Sequence, residues 1–465
     1  MESQRLSDLP DELILKIFSF LPMFKETLAT NLISRRWSEE DPWKLVSDVT
    51  LDNDDDSFMR FIYGSLLSND AQTLERLHLK LVRRKSASNI DFVVQVAVNR
   101  SVRKLRIDLS GRALVLPRCL STCKTLKSLI LREVSIVVYP DGLCLPSLKT
   151  LHLFSVNFSG FETVASILQI CPDLEYLVLK QTKYHDVPIV GARSLLPSLK
   201  SLHLLSVKFS SDESVASLLR KCEALEDLVI NRTEYDNVKL FNINVPTLRS
   251  LSINNSRRKQ VYIGEDYGFV VNAPVLEKLN IKDTCSNFLR FEYMPEVTKA
   301  NIEVICHENK FIGSLTSIQD LSFCALTSTT PYPRGTFFFF FEHLELCTCS
   351  EGWANLLACI LNDAPRLQSL KLDSKHSGRH YDDPIMNHWI EPKVVPECLS
   401  KHLEILEWRP YEGRKQERKV AAYILANATC LKTGTFLISS RCKSKYVSEL
   451  KTMSRVSETY QLVFK

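Results

Sequence analysis

The sequence predicts an α/β solenoid, with a parallel sheet on its inner wall and helices and loops outside. Three observations lead there. First, one stretch is written twice: Ser147 to Tyr184 reads SLKTLHLFSVNFSGFETVASILQICPDLEYLVLKQTKY, and Ser198 to Tyr235 reads SLKSLHLLSVKFSSDESVASLLRKCEALEDLVINRTEY. The copies sit about 51 residues apart and agree at roughly 22 of 38 positions. Second, each copy holds two smaller units that open on the same spacing. These are Leu148-x-x-Leu151-x-Leu153 and Leu174-x-x-Leu177-x-Leu179, then Leu199-x-x-Leu202-x-Leu204 and Leu225-x-x-Leu228-x-Ile230. The period is therefore about 25 residues. Third, the last two leucines stand two apart, as on one face of a strand, and Val164, Ile167, Leu168 and Cys171 follow at helical spacing. One strand and one helix cannot bury an apolar side alone, whereas a stack of such units covers each flank with its neighbour.

This L-x-x-L-x-L pattern resembles that of leucine-rich-repeat proteins. Further starts run along the chain: Leu74, Leu77 and Leu79; Val102, Leu105 and Ile107; Leu126, Leu129 and Leu131; Leu248, Leu251 and Ile253; Leu276, Leu279 and Ile281. Val297, Ala300 and Ile302, then Ile318, Leu321 and Phe323, and finally Leu367, Leu370 and Leu372 continue the series, with Leu344 and Leu346 fitting one more. Between Leu248 and Phe323 the links are short, which predicts crossing by loops rather than helices. Phe337 to Phe341 is an aromatic run of high β-propensity, read as a buried strand.

Ahead of the repeats stands a small helical module. LSDLPDELILKIFSFLP places Leu9 and Pro10 at a helix entrance and Asp11 and Glu12 in its first turn, where carboxylates complement the helix dipole. Leu13, Ile14, Ile17, Phe18 and Leu21 form an apolar stripe, and Pro22 stops the helix. A second helix is predicted over about Lys25 to Ile33, followed by Ser34-Arg35-Arg36-Trp37 and Trp43-Lys44-Leu45-Val46. On patterning alone the module is either a docking face or an N-terminal cap of the solenoid.

The combination of Leu9-Pro10-Asp11, Phe20-Leu21-Pro22, Ser34-x-Arg36-Trp37 and the second tryptophan, Trp43, resembles the F-box of plant F-box proteins. The resemblance implies docking to a Skp-type adaptor, and through it to a cullin-RING ubiquitin ligase. Carried over by position, it assigns adaptor contacts to Leu9, Pro10, Ile14, Ile17, Leu21, Pro22, Ser34 and Trp37. The link Trp37-Ser-Glu-Glu-Asp-Pro-Trp43 is longer than the usual one, acidic and interrupted by Pro42, which predicts a short or shifted last helix.

After it, Val49-Thr50-Leu51 reads as a first strand and Phe58, Phe61, Ile62, Leu66 and Leu67 as a helix. The tail reads strand (Leu403, Leu406, Trp408), turn with Gly413, helix (Val420, Tyr423, Ile424, Ala428), strand, helix and closing strand. Val395-Pro396-Glu397-Cys398-Leu399, Leu406-Glu407-Trp408 and Gln461-Leu462-Val463-Phe464 resemble the FBD domain of plant F-box proteins. The expected organisation is an α-helical F-box over residues 1–50, a leucine-rich-repeat solenoid over 51–394, and an α+β FBD cap over 395–465.

Composition narrows the function classes. A net charge of +5 over 465 residues gives no reason to expect nucleic acid, and no apolar run reaches membrane-spanning length. The N-terminus has no secretory pattern, so residence in the cytoplasm or nucleus is expected. Cys347-x-Cys349 has no second pair at zinc-ligand spacing, and Gly378 and Pro384 break any helix that would align His376, His380 and His388. No catalytic or cofactor fingerprint is present, and no cofactor or metal is expected. The reading is a non-catalytic substrate-recognition adaptor of an SCF-type ubiquitin ligase; the alternative is a repeat scaffold whose N-terminal helices only cap it. Outward strand positions of the duplicated units are the candidate face for a protein substrate: Lys149, Thr150, His152, Glu175, Tyr176, Lys200, Ser201, His203, Glu226 and Asp227. For each of them the plainer reading is inert solvated surface.

Overall fold

A computed structural model describes residues 9–18, 20–21, 48–53, 73–81, 90–138, 142–158, 164–184, 196–233, 237–256, 267–305, 313–325, 337–350, 352–375, 389–438, 443–457 and 461–465. The helices expected over Lys25 to Ile33 and Phe58 to Leu67 lie outside the described residues, as do Pro22, Ser34, Trp37, His376, His380 and His388. The chain forms two compact units, Met1–Leu225 and Glu226–Lys465.

In the first unit the strands Asp48–Asn53, Arg76–Leu81, Lys104–Val115, Ser128–Val138, Thr150–Phe154, Tyr176–Lys180 and Ser201–Leu205 run parallel. The last leucine of each repeat sets the register: Leu51, Leu79, Ile107, Leu131, Leu153, Leu179 and Leu204 lie side by side. From Leu79 onward every member of this spine is buried. The first leucine of the motif turns inward before the strand, its amide bonding the residue three back, as in Leu148 N to Leu145 O at 3.2 Å and Leu174 N to Cys171 O at 3.3 Å. Two strands are longer, and their register shifts between Asp108 and Arg112, where Gly111 takes φ +87°.

Helices Ile90–Asn99, Val164–Gln169 and Asp212–Arg220 supply the second layer. The helix in the second copy of the duplicated stretch starts on Ser211, whose hydroxyl accepts the amide of Ser214. Cys171 and Cys222 end the helical segments of the two copies and are buried, as their shared place in the repeat predicts. Burial pushes the Cys222 thiol up to about 12, so it behaves as a small apolar group.

The second unit repeats the ladder with the parallel strands Asp227–Asn231, Ser250–Asn255, Lys278–Asp283, Lys299–Val304, Asp320–Ala325, His343–Cys347 and Ser369–Asp373. Where loops are expected, two of the links form strands, Gly268–Asn272 and Phe288–Phe291, and these join Leu240–Asn244 of the preceding link in a second parallel sheet. Each buries two residues of an alternating pair, such as Phe241 with Ile243 and Phe269 with Val271. Gly268 permits the close approach, since a Cβ there would overlap the carbonyl of Phe288.

The aromatic run is also not the strand expected. Phe338 and Phe341 are buried, but Phe337, Phe339 and Phe340 are half or more exposed, and the strand begins only at His343. A turn, rather than alternation, sends residues three apart inward.

The tail extends the same ladder. Strands Ile405–Tyr411, Thr433–Ile438 and Gln461–Phe464 follow Ser369–Asp373 in parallel register, with helices Lys415–Asn427 and Lys443–Thr452 between them. Each new strand covers the edge left by its predecessor. An aromatic column of Trp353, Trp408, Phe436 and Phe464, with ring centroids 5.8 to 6.4 Å apart at each step, forms the core of this end.

Candidate partner-binding surfaces

The N-terminal helix Asp11–Phe18 starts on Pro10, whose carbonyl accepts Leu13 N at 3.0 Å and Ile14 N at 3.1 Å. Its apolar stripe is divided. Ile14 and Phe18 are buried; Leu9, Ile17 and Leu21 are partly buried; Pro10 is exposed. Leu13 at 47% and Phe20 at 75% exposure are the large apolar side chains open to solvent. Neither belongs to the contact set that the F-box resemblance assigns. Leu13 was visible only as one member of the apolar stripe, and Phe20 only as part of its motif.

On the first unit's sheet the buried spine alternates with outward residues. His152 packs at 5.5 Å between ring centroids on both Phe154 and Tyr176. The Tyr176 hydroxyl lies 3.2 Å from His203 Nδ1, with the rings edge to face at 5.1 Å. Five predicted face residues are thus placed together: His152, Tyr176 and His203 in one cluster, and Lys149 on the rim beside them, paired with Glu175 at 2.9 Å. Burial, helped by the charge of His203, lowers the pKa of His152, so its ring is neutral at physiological pH. Lys200 is exposed on the same rim. Asp227 belongs to the second unit, in the strand paired with Ser250–Asn255.

Earlier in the first unit, Asp108 accepts Arg106 Nε at 3.0 Å and Arg106 Nη2 at 2.7 Å, and lies 3.1 Å from His78 Nε2. Burial, the largest influence on Asp108, raises its pKa. The hydrogen bonds from His78 and Arg106 outweigh it and hold the carboxyl below its ordinary value.

The second unit carries a groove of about 620 Å³ across six strands. The sequence did not point to it. Its floor is a polar ladder: Asn301 Nδ2 donates to Asn280 Oδ1 at 3.1 Å, and Asn280 Nδ2 to Ser252 Oγ at 3.2 Å. Beyond them Ser322 Oγ donates to Glu345 at 3.4 Å and Lys371 Nζ donates to its other oxygen at 2.8 Å. The residues forming this ladder lie about 21 to 28 positions apart in sequence, and only the register gathers them. Among the described residues no group of three His, Cys, Asp or Glu side chains is set to hold a metal ion, and no helix is long and apolar enough to cross a membrane.

Comparison with known proteins agrees with this layout. Residues 6–40 match the F-box-like family model, residues 90–195 and 184–301 match the LRR repeats of an FBD-associated F-box protein, and residues 391–436 match the FBD family. An Arabidopsis thaliana FBD-associated F-box protein is 56% identical, with 100% of each chain covered. An F-box/FBD/LRR-repeat protein of the same plant is 46% identical over 99% of this chain and 91% of its own. Another is 35% identical over 99% and 98%. Among solved structures, an LRR protein of Leptospira interrogans superposes with a TM-score of 0.40 at 17% identity, covering 72% of this chain and 85% of its own.

Proposed function

The chain belongs to the FBD-associated F-box and LRR-repeat proteins, and from that premise we propose that it is the substrate-recognition subunit of an SCF-type ubiquitin ligase. Its N-terminal segment docks to a Skp-type adaptor, and the solenoid holds a protein target. The subunit performs no bond chemistry. It acts by proximity, raising the effective concentration of a target lysine at a conjugating enzyme that the assembly brings. The proposal carries with it residence in the cytoplasm or nucleus, where cysteines stay reduced.

The observation that supports it most is the solvent exposure of Leu13 and Phe20 on a segment that matches an F-box-like model. A small helical element holding bulky apolar residues in water is an interface in waiting. Co-purification of the full chain with a Skp-type adaptor is the test. Capture by the wild type, lost in the Leu13→Asp/Phe20→Asp double variant with its fold intact, supports the reading. A folded wild type that captures no adaptor overturns it. That result would favour a repeat scaffold capped by its N-terminal helices, a reading to which the burial of Ile14 and Phe18 lends support.

A further inference from the structure

The rim at the start of the first unit's strands carries cations that the repeat does not require. Lys127 N bonds Arg103 O, Lys149 N bonds Lys127 O, Glu175 N bonds Lys149 O and Lys200 N bonds Glu175 O, each at 2.9 Å. Residues more than 20 apart in sequence thereby stand side by side at about 4.8 Å. Arg103 is paired with Glu75 at 3.2 Å and Lys149 with Glu175 at 2.9 Å. Lys127, between them, has no acidic partner among the described residues; nor does Lys104, which begins the neighbouring strand. Like charges at adjacent ladder positions repel, so Lys127 between Arg103 and Lys149 gives the fold nothing. Nor does the architecture impose it. At the matching positions the second unit has Glu226, Glu277, Glu342 and Glu404 against Arg249 and Lys432.

We propose that this basic rim is a docking site for a carboxylate-rich, extended segment of a partner protein, with Lys104 and Lys127 taking the carboxylates. The proposal rests on the reading of the solenoid as a target receptor and names the chemistry of the target. An extended chain rises about 3.4 Å per residue and its side chains alternate, so carboxylates two positions apart stand on one face roughly 6.8 Å apart, close to the single diagonal step between Lys104 and Lys127 on adjacent strands. Glu75 and Glu175 bound the cationic run on either side. A short acidic cluster fits between them, whereas the unbroken charge of a polyphosphate chain meets an acid at both ends.

The test is fluorescence anisotropy of a fluorescein-labelled peptide with three central glutamates flanked by glycine and serine, titrated with the full chain at two ionic strengths. Binding is expected to weaken with salt. The Lys104→Glu/Lys127→Glu double variant is expected to weaken it by about tenfold. Lys127→Gln, which removes charge without reversing it, falls between. Lys278→Glu and Lys432→Glu in the second unit change it by less than about twofold. No peptide binding, or equal losses from the second-unit variants, overturns the proposal. So does tighter binding of a ten-nucleotide oligothymidylate at the same salt, which would make the rim a polyphosphate site. Adaptor capture reads the ligase proposal separately. If the double variant still captures adaptor while peptide binding by the wild type is absent, only this inference fails. If adaptor capture fails and peptide binding persists, only the ligase reading does.

Discussion

The two units are each built on the same kind of backbone ladder and carry opposite surfaces. In the first, the spine Leu79, Ile107, Leu131, Leu153, Leu179 and Leu204 lies under a face of histidines and aromatics with a basic rim. In the second, Ile253, Ile281, Ile302, Phe323, Leu346 and Leu372 repeat that spine under a floor of serine, asparagine and ion-paired groups, with an acidic rim. Burial fixes what points inward, because a polar residue there loses its hydration without a partner. It leaves the alternate positions free. A stack of this kind separates stability from surface chemistry: the inward residues carry the first, and the outward ones are free to set the second.

That separation is broken or sharpened most strongly in the interior. If the spines are equivalent, truncation costs follow buried volume, whichever unit holds the residue. Trp408→Ala, at the centre of the aromatic column and fully buried, is expected to lower stability by about 3–5 kcal/mol. Leu153→Ala in the first unit is expected to cost about 2–5 kcal/mol, and Leu372→Ala in the second about the same. Denaturant melts of the three variants check this. A Leu153→Ala cost far from that of Leu372→Ala would mean that the two spines are not energetically alike.

The interior was legible in the sequence for the same reason. Leucines two apart, recurring about every 25 residues, admit only a strand face in a stack. The duplicated helices were legible from their apolar spacing. The outer strands around Phe241 and Phe269 were not, because four or five residues of alternation do not stand out from a loop. The Phe337–Phe341 run misled because composition signals a strand while the turn decides which rings enter. The basic rim and the groove floor were illegible for a different reason. Arg103 and Lys127 are unremarkable charges along the chain, and only strand register makes them neighbours of Lys149. The F-box motif marked the N-terminal helix, but not that Leu13 and Phe20, rather than Ile14, face water.

Two acids, Asp108 partly buried and Asp283 buried, set the units against each other in pH. Asp108 of the first unit has a lowered folded-state pKa. Its contribution is present above the ordinary aspartate value of about 3.9 and is lost as pH falls through the lowered one. Asp283 of the second unit is raised, by burial above all, although Asn255, Ser286 and Cys285 donate to it. Its contribution is full below the ordinary value and is lost as pH rises through the raised one. Those three bonds converge on Oδ1, which an asparagine retains. Asp283→Asn is therefore expected to raise stability at neutral pH by about 1–2 kcal/mol, with the gain vanishing on acidification. Asp108→Asn is expected to lower it by about 1 kcal/mol at neutral pH, with the loss shrinking as pH falls; the figure is modest because the Arg106 partner is a third exposed. Thermal melts from pH 7 down to about pH 3 read both signs. The same sign for both would erase this difference between the units.

The smallest expected effect tests whether the rims contribute to folding at all. On the rim of each unit a cation donates across a ladder step to the next strand's glutamate: Lys149 to Glu175, and Arg249 to Glu277. All four side chains are between two- and three-fifths exposed, so water screens both pairs. Double-mutant cycles to alanine should return about 0.2–1 kcal/mol for each pair, falling with added salt. If the Lys149–Glu175 coupling greatly exceeded that of Arg249–Glu277, the basic rim would be part of what holds the first unit together. Its cations would then need no partner to explain them. Equal, small couplings leave the surplus positive charge of Lys104 and Lys127 without a structural use, and recognition of an acidic segment gives it one.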